Sequence, residues 1–134
     1  GAAELVDRVA ASGAVVPALL TGNVHRGARI KLTAAGLWGR FRFGVFGDEA
    51  ELRVDLGPIA LARALELTGR TYAPSETVVV GDARADVECG RAIGARVVAV
   101  ATGRTPAEEL RAAGADVVLH SFADVASACE AILA

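Results

Sequence analysis

Short apolar runs alternate with amphipathic segments along this chain. The runs are rich in valine and leucine and end at glycine, threonine or aspartate, which is typical of strands that lead into turns. Predicted strands cover Val15–Leu20, Phe43–Phe46, Thr77–Val80, Val97–Ala101 and Val117–Leu119. Because the runs are apolar throughout and not alternating, we expect these strands to be covered on both faces.

The segments between the strands repeat their apolar residues at helical spacing, and a glycine closes several of them. Predicted helices cover Gly1–Ala11, Val24–Ala35, Ile59–Leu67, Ala85–Ile93, Pro106–Ala113 and Phe122–Leu133. Strands that alternate with helices predict βαβ units and a parallel sheet, so the expected fold class is α/β. Residues 1–134 are predicted to form a single domain.

The composition narrows the class of protein. The chain has 134 residues and is 53% hydrophobic but only 4% aromatic, so its core must be aliphatic. A net charge of −2 does not suggest a nucleic-acid partner, which would require a basic face. No apolar run approaches the roughly 18 residues of a membrane span. Cys89 and Cys129 lack CxxC spacing, which favours free thiols and a cytoplasmic location.

The stretch from Val78 to Asp86 carries the strongest chemical signal. Three valines predict a buried strand that ends at Gly81 and delivers Asp82, and Asp86 follows where a helix begins. Ligands bind at the carboxyl ends of strands in open α/β sheets. Two carboxylates in one crevice repel each other unless a cation or a proton lies between them. Hard oxygen ligands suit Mg²⁺, so Asp82 and Asp86 are candidate metal ligands.

A second strand end offers a candidate phosphate site. Thr21-Gly22-Asn23 supplies a hydroxyl and backbone N–H groups just before a predicted helix, and the N-terminus of a helix favours anions. A cation is needed to neutralise a phosphoryl group. Lys31, the only lysine in the chain, is the preferred candidate for that cation, and Arg53 is the second.

These residues resemble motifs of the haloacid dehalogenase-like (HAD) hydrolase superfamily, in its phosphatase branch. Leu19-Leu20-Thr21-Gly22-Asn23 is similar to the second motif, a strand that ends in Ser or Thr and holds the phosphoryl group. Gly81-Asp82-Ala83-Arg84-Ala85-Asp86 is similar to the fourth motif, the GDxxxD that anchors Mg²⁺. The third motif supplies a Lys or Arg, commonly in a Lys-Pro pair, and this sequence has no such pair.

The resemblance implies a Rossmann-like three-layer sandwich with a parallel sheet, the HAD-type core. It also implies a Mg²⁺-dependent phosphatase that hydrolyses a small phosphorylated metabolite through an aspartyl-phosphate intermediate. In that enzyme Thr21 and Lys31 would be the catalytic residues of this chain. Thr21, Gly22, Asn23 and Lys31 would bind the phosphoryl group, and Asp82 and Asp86 the metal.

The sequence departs from the family at its first motif, DxDx[TV], which carries the nucleophilic aspartate. No such motif is present, so we expect a partial core domain without its central first strand, without a cap domain and inactive alone. A missing central strand would leave the strands ending at Thr21 and Asp82 with unpaired edges. We therefore expect a further N-terminal segment, direct pairing of the two halves, or a dimer to complete the sheet.

Other interpretations remain open at this stage. Asp82 and Asp86 are also good helix caps, and so is Asn23. The chain could be a truncated, non-catalytic domain that binds phosphate or Mg²⁺ or serves as an interaction module. Two other α/β classes do not fit. A receiver-type phospho-acceptor domain places its acidic strand end before the threonine, whereas here Thr21 precedes Asp82, and a dinucleotide-binding fold needs GxGxxG, which this sequence lacks.

Overall fold

The computed structural model describes residues 1–13 and 15–134. Within them the chain forms two compact units. The N-terminal unit is Ala2–Thr71, and the C-terminal unit is Tyr72–Ala134 together with Gly1. Each unit contains parallel strands flanked by helices, which confirms the predicted α/β, Rossmann-like class. No helix in the described part of the chain is long and apolar enough to span a membrane.

The N-terminal unit has a two-stranded parallel sheet in which β1 pairs with β2. Its elements in order are α1 (Ala2–Ala11), β1 (Ala18–Leu20), α2 (His25–Ala34), β2 (Phe43–Val45) and α3 (Leu56–Thr68). Short 3-10 turns lie at Trp38–Arg40, Gly47–Glu49 and Arg53–Asp55. Val45 on β2 and Leu56 at the start of α3 are both buried and belong to the core of this unit.

The C-terminal unit has a three-stranded parallel sheet in the order β3-β4-β5. Its elements are β3 (Val78–Gly81), α4 (Arg84–Ala92), β4 (Arg96–Val100), α5 (Ala107–Ala113), β5 (Val117–Leu119) and α6 (Val125–Leu133). A fully buried aliphatic cluster joins the helices to the central strand. Its members are Val87, Val97, Ala99 and Leu110. This cluster is the aliphatic core that the composition requires.

The prediction that every strand is covered on both faces is right only for β4, where Val97, Val98, Ala99 and Val100 are all buried. It is wrong for β3, where the Val80 side chain is 39% exposed. Among the described residues, β3 pairs with β4 alone and β1 with β2 alone, so each is an edge strand. β1 and β3 belong to different sheets. A further strand at these edges stays a prediction.

Helix boundaries follow the sequence signals, with some informative differences. Gly69 and Gly114 adopt the left-handed conformation and end α3 and α5, as their positions predict. Helix α6 begins at Val125 and not at Phe122. The reason is Asp124, whose carboxylate accepts the backbone N–H and the hydroxyl of Ser127. These hydrogen bonds lower the pKa of Asp124.

The close approach of α4 to its sheet depends on a glycine. A Cβ built on Gly90 would lie 2.5 Å from Cγ2 of Val97 and 3.1 Å from Cβ of Val79. Both neighbours lie in strands of the same sheet, so a methyl group could be admitted only by moving the helix away from the strands. Gly27 in α2 is a contrasting case, because its Cβ would meet only Cγ2 of Val24 at an ordinary 3.7 Å.

Replacement of these two glycines by alanine should therefore change the free energy of unfolding in opposite directions. Gly90→Ala is expected to lower the free energy of unfolding by about 1–3 kcal/mol because it overpacks the interface between helix and sheet. Gly27→Ala is the matched control and should raise it by about 0.5–1 kcal/mol through helix propensity. Urea denaturation followed by circular dichroism measures both. A stabilised Gly90→Ala variant would contradict the close packing of α4.

Candidate functional site

The loop after β1 holds the predicted phosphate-binding residues Thr21, Gly22 and Asn23. The backbone N–H of Thr21 donates to the carbonyl of Val45 at 3.1 Å, which continues the parallel pairing one residue beyond the strand. The backbone N–H of Asn23 donates to Oγ1 of Thr21, also at 3.1 Å. Because the hydroxyl oxygen accepts this bond, the hydroxyl proton can donate to an anion.

A turn that follows β2, Phe46-Gly47-Asp48-Glu49, lies against this loop. The N–H of Gly47 donates to the carbonyl of Asn23 at 2.8 Å. Oδ1 of Asp48 accepts the N–H of His25 at 3.3 Å. The first amide of α2 is therefore already satisfied by a carboxylate. Helix α2 is preceded by Val24 as its N-cap, with no side-chain cap, so Asn23 is not the cap residue that the sequence also allowed.

The two candidate cations lie in different places. The side chain of Arg53 lies over the loop Thr21-Gly22-Asn23, which is called the phosphate loop below after its predicted role, and its Nη1 is 3.2 Å from the point that a Cβ on Gly22 would occupy. Lys31 is exposed and lies in the last turn of α2. A helix rises about 1.5 Å per residue, so Lys31 is about 9 Å along the axis from His25. Arg53 thus lies at the loop, whereas Lys31 lies in the last turn of the helix that follows it, and which of the two binds a phosphoryl group stays a prediction.

An ion pair holds the turn after β2. The guanidinium of Arg63 on α3 donates to both carboxylate oxygens of Glu49, and its Nη1 also donates to the carbonyl of Gly44 at 2.6 Å. Oε2 of Glu49 also accepts a hydrogen bond from the backbone N–H of Phe46, three residues earlier, at 2.8 Å. The hydrogen bond to Arg63 lowers the pKa of Glu49 and raises that of Arg63.

In the C-terminal unit, the predicted metal ligands follow β3, with Asp82 in the loop and Asp86 in the first turn of α4. Asp86 is buried, with 8% of its surface exposed. Its Oδ2 accepts the backbone N–H groups of Asp82 at 3.1 Å and of Ala83 at 3.0 Å. A Cβ on Gly81 would overlap this carboxyl group, so only glycine fits there. Asp86 therefore shapes the loop that presents Asp82, as the capping interpretation of the sequence suggested.

The Asp82 side chain is exposed at the end of the strand and packs against a second glycine. A Cβ on Gly103 would lie 2.7 Å from Oδ2 of Asp82 and 3.0 Å from its Cγ. Gly103 thus leaves space for this carboxylate beside the end of β4. The described residues contain no group of three or more His, Cys, Asp or Glu side chains that could hold a metal.

These two aspartates could supply only part of the coordination shell of a hard divalent cation. Mg²⁺ commonly takes one or two carboxylates and completes its octahedron with water and phosphate oxygens. The exposed Asp82 and the buried Asp86 could supply the one or two carboxylates that such a site takes from the protein. It would not suffice for a closed structural site, which is built from about four protein ligands.

Sequence comparison identifies the family of this chain. The profile of the HAD-hydrolase-like family matches residues 55–125, more than half of the chain. The chain belongs to the HAD-like hydrolase superfamily. The matched range contains Asp82 and Asp86, and the resemblance inferred from the motifs is confirmed.

The relatives of this HAD-like chain include a curated phosphatase. This chain is 29% identical over 119 residues to the probable phosphatase IndB of Dickeya dadantii (strain 3937). That alignment covers 87% of the chain but 49% of IndB. The chain therefore spans about half the length of the curated relative it matches.

Solved structures confirm the fold. A haloacid dehalogenase-like family hydrolase of Streptococcus pneumoniae superposes with a TM-score of 0.75 at 18% identity, covering 93% of this chain and 56% of that one. A predicted phosphatase of Clostridium acetobutylicum gives 0.76 at 20% identity, covering 97% and 57%. At these identities the likeness shows the fold alone, and it confirms the HAD-type, Rossmann-like class.

Some residues of this HAD-like chain that shape the loops carry no clear sequence signal. Glu49 and Arg63 are 14 positions apart and on different elements, so neither spacing nor motif pairs them. Gly47 and Gly103 both follow predicted strands, and that position was the available signal. What the sequence could not show is which backbone or carboxylate each glycine faces.

The Glu49–Arg63 pair predicts a pH dependence of stability. The pKa of Glu49 is lowered from 4.5 in the folded chain. A lowered folded pKa stabilises the protein above the unfolded value, and this stabilisation is lost as the pH falls through the folded value. Glu49→Gln should therefore be less stable than the wild type at pH 7, by about 0.5–1 kcal/mol for a partly exposed pair. Below pH 4.5 the difference should shrink.

Urea unfolding at several pH values measures this effect. Glu51→Gln, at an exposed position close by, is the matched control. Its free energy of unfolding should follow that of the wild type at every pH. A Glu49→Gln variant whose deficit stayed constant down to the acid transition would contradict the role of the ion pair.

Proposed function

We propose that this chain supplies the phosphate-holding and metal-holding residues of a Mg²⁺-dependent HAD phosphatase that acts on a small phosphorylated metabolite. One observation carries the proposal. The Thr21 hydroxyl lies in the short loop that the Arg53 guanidinium covers. Its oxygen already accepts a hydrogen bond from the backbone N–H of Asn23. A donor and a cation at one strand end match the charge of a phosphoryl group.

In this proposal Thr21 donates its hydroxyl proton to a phosphoryl oxygen. Arg53 neutralises the charge on the group, and a guanidinium does so with two parallel donors. Gly22 and Asn23 border the same position, and a Cβ on Gly22 would lie 3.2 Å from Nη1 of Arg53. Lys31 would act only if the helix end that carries it came close to the ligand, so we assign the cation to Arg53.

The metal-holding residues are Asp82 and Asp86. When bound, Mg²⁺ supplies charge neutralisation and orientation of phosphate oxygens, and superfamily members generally use this metal. Asp82 is the direct ligand in the proposal, because it is exposed at the strand end. Asp86 holds the loop through two backbone amides and adds its negative charge.

The chemistry implied by the family is hydrolysis through an aspartyl-phosphate. We assign no residue of this chain to the attack on phosphorus. Thr21 and Arg53 would stabilise the charge of the phosphoryl group as it is transferred, and Asp82 would fix the metal. The assignment of residues 1–134 to one HAD-type core domain is part of the same proposal.

Phosphate binding tests the choice of cation. Inorganic phosphate titrated into the chain should shift the amide resonances of Gly22 and Asn23 in a saturable way. Arg53→Gln should weaken binding by about 10- to 100-fold, the value of a charge-assisted hydrogen bond. Lys31→Gln removes the same charge from α2 and should leave the dissociation constant within about twofold. A larger effect of Lys31→Gln than of Arg53→Gln would return the role to the lysine.

Metal binding can be tested without any turnover. Titration calorimetry with MgCl₂ should show a site that Asp82→Asn weakens by more than about tenfold, the effect that even outer-shell changes have at metal sites. The control Glu108→Gln removes one negative charge from an exposed position in the first turn of α5 and should bind like the wild type. Equal loss in both variants would mean that Mg²⁺ senses only the net charge.

A further inference from the structure

The turn after β2 leaves no space between itself and the phosphate loop. A Cβ built on Gly47 would overlap the carbonyl oxygen of Gly22 and lie 2.6 Å from its carbonyl carbon. It would also lie 3.3 Å from the carbonyl oxygen of Asn23. Gly47 is not among the described glycines with positive φ. Glycine is therefore required at this position by the facing backbone and not by the conformation of the residue itself.

Hydrogen bonds fix the same loop to β2 and the turn at three successive points. The N–H of Thr21 donates to the carbonyl of Val45, and the carbonyl of Asn23 accepts from Gly47. The N–H of His25 then donates to Asp48. Because three hydrogen bonds join the two segments, a shift of the turn would move the segment 21–25 with it.

The turn is itself held from two sides. On one side Glu49 binds the N–H of Phe46 and the fork of Arg63, which also reaches the carbonyl of Gly44. On the other side the ring of His25 packs edge-on against the ring of Phe46, with 4.4 Å between their centroids. Trp38 completes this aromatic group at 5.5 Å from His25.

We propose that Gly47 is a positioning residue for the phosphate loop, and that the turn fixed by the Glu49–Arg63 pair sets the placement of the Thr21 hydroxyl. This inference rests on the proposed function, since it concerns the same phosphate site. Binding groups must be held within about 0.5 Å of the productive geometry. A methyl group on residue 47 would displace the Gly22 carbonyl by more than that distance.

The test compares two glycine-to-alanine variants of the same unit. Gly47→Ala should weaken the binding of inorganic phosphate by about tenfold or more, as expected for one lost charge-assisted hydrogen bond. It should also shift the amide resonances of Thr21, Gly22 and Asn23 before phosphate is added. The control Gly39→Ala, whose Cβ would meet nothing within 4 Å, should change neither measurement.

Two further variants separate positioning from loss of stability. Val9→Ala deletes methyl groups from the buried face of α1, so it lowers stability away from the loop and should keep the wild-type phosphate affinity. Arg63→Lys keeps the charge but cannot form the fork to Glu49. It should weaken phosphate binding by a few-fold and provides the test if Gly47→Ala does not fold.

The outcomes distinguish this inference from the function on which it rests. Absence of phosphate binding by the wild type would overturn both. Binding by the wild type with unchanged affinity in Gly47→Ala, or in Arg63→Lys where the first variant does not fold, would overturn the positioning role alone. So would an equal loss of affinity in Val9→Ala and Gly47→Ala.

Discussion

The loops at the strand ends of this chain depend on backbone and carboxyl groups that approach more closely than a side chain would allow. Gly47 faces the carbonyl of Gly22, and Gly81 faces the carboxyl group of Asp86. The first contact holds the turn after β2 against the loop after β1, and the second holds the first turn of α4 against the last residue of β3. The polar side chains at the strand ends are therefore positioned by these close contacts as well as by their own rotamers.

Two acidic side chains show how these loops use charge. Asp48 accepts the N–H of His25, and Asp86 accepts those of Asp82 and Ala83. A half-buried amide without an acceptor costs about 1–3 kcal/mol, so the carboxylate of Asp86 first satisfies the part-buried backbone around it, whereas the bond from His25 to Asp48 is exposed. Asp82 differs, because its exposed side chain remains at the strand end beside Gly103. An acidic residue near a strand end is thus evidence for a metal only after the local amides have been satisfied.

Much of the fold could be predicted from the sequence because its signals are local. Valine runs, helical periodicity and the glycines at 69 and 114 give the order of the elements and most of their ends. The covering of the strands could not be predicted, since it depends on which strands become edges. Val80 lies in an apolar run yet is 39% exposed, and nothing in its neighbours along the chain distinguishes it from the buried Val98.

The choice between the two cations illustrates the same limit within the site. Lys31 attracts notice because it is the only lysine, and it is closer in sequence to Thr21 than Arg53 is. A helix, however, carries residues away from its start at a fixed rise, whereas a chain that returns through a parallel strand brings distant residues back to the same end of the sheet. Arg53 follows β2, which is parallel to β1, and so it reaches the loop that follows β1. Sequence distance alone therefore does not identify the neighbours of a strand end where a parallel crossover intervenes, and strand order is the better guide.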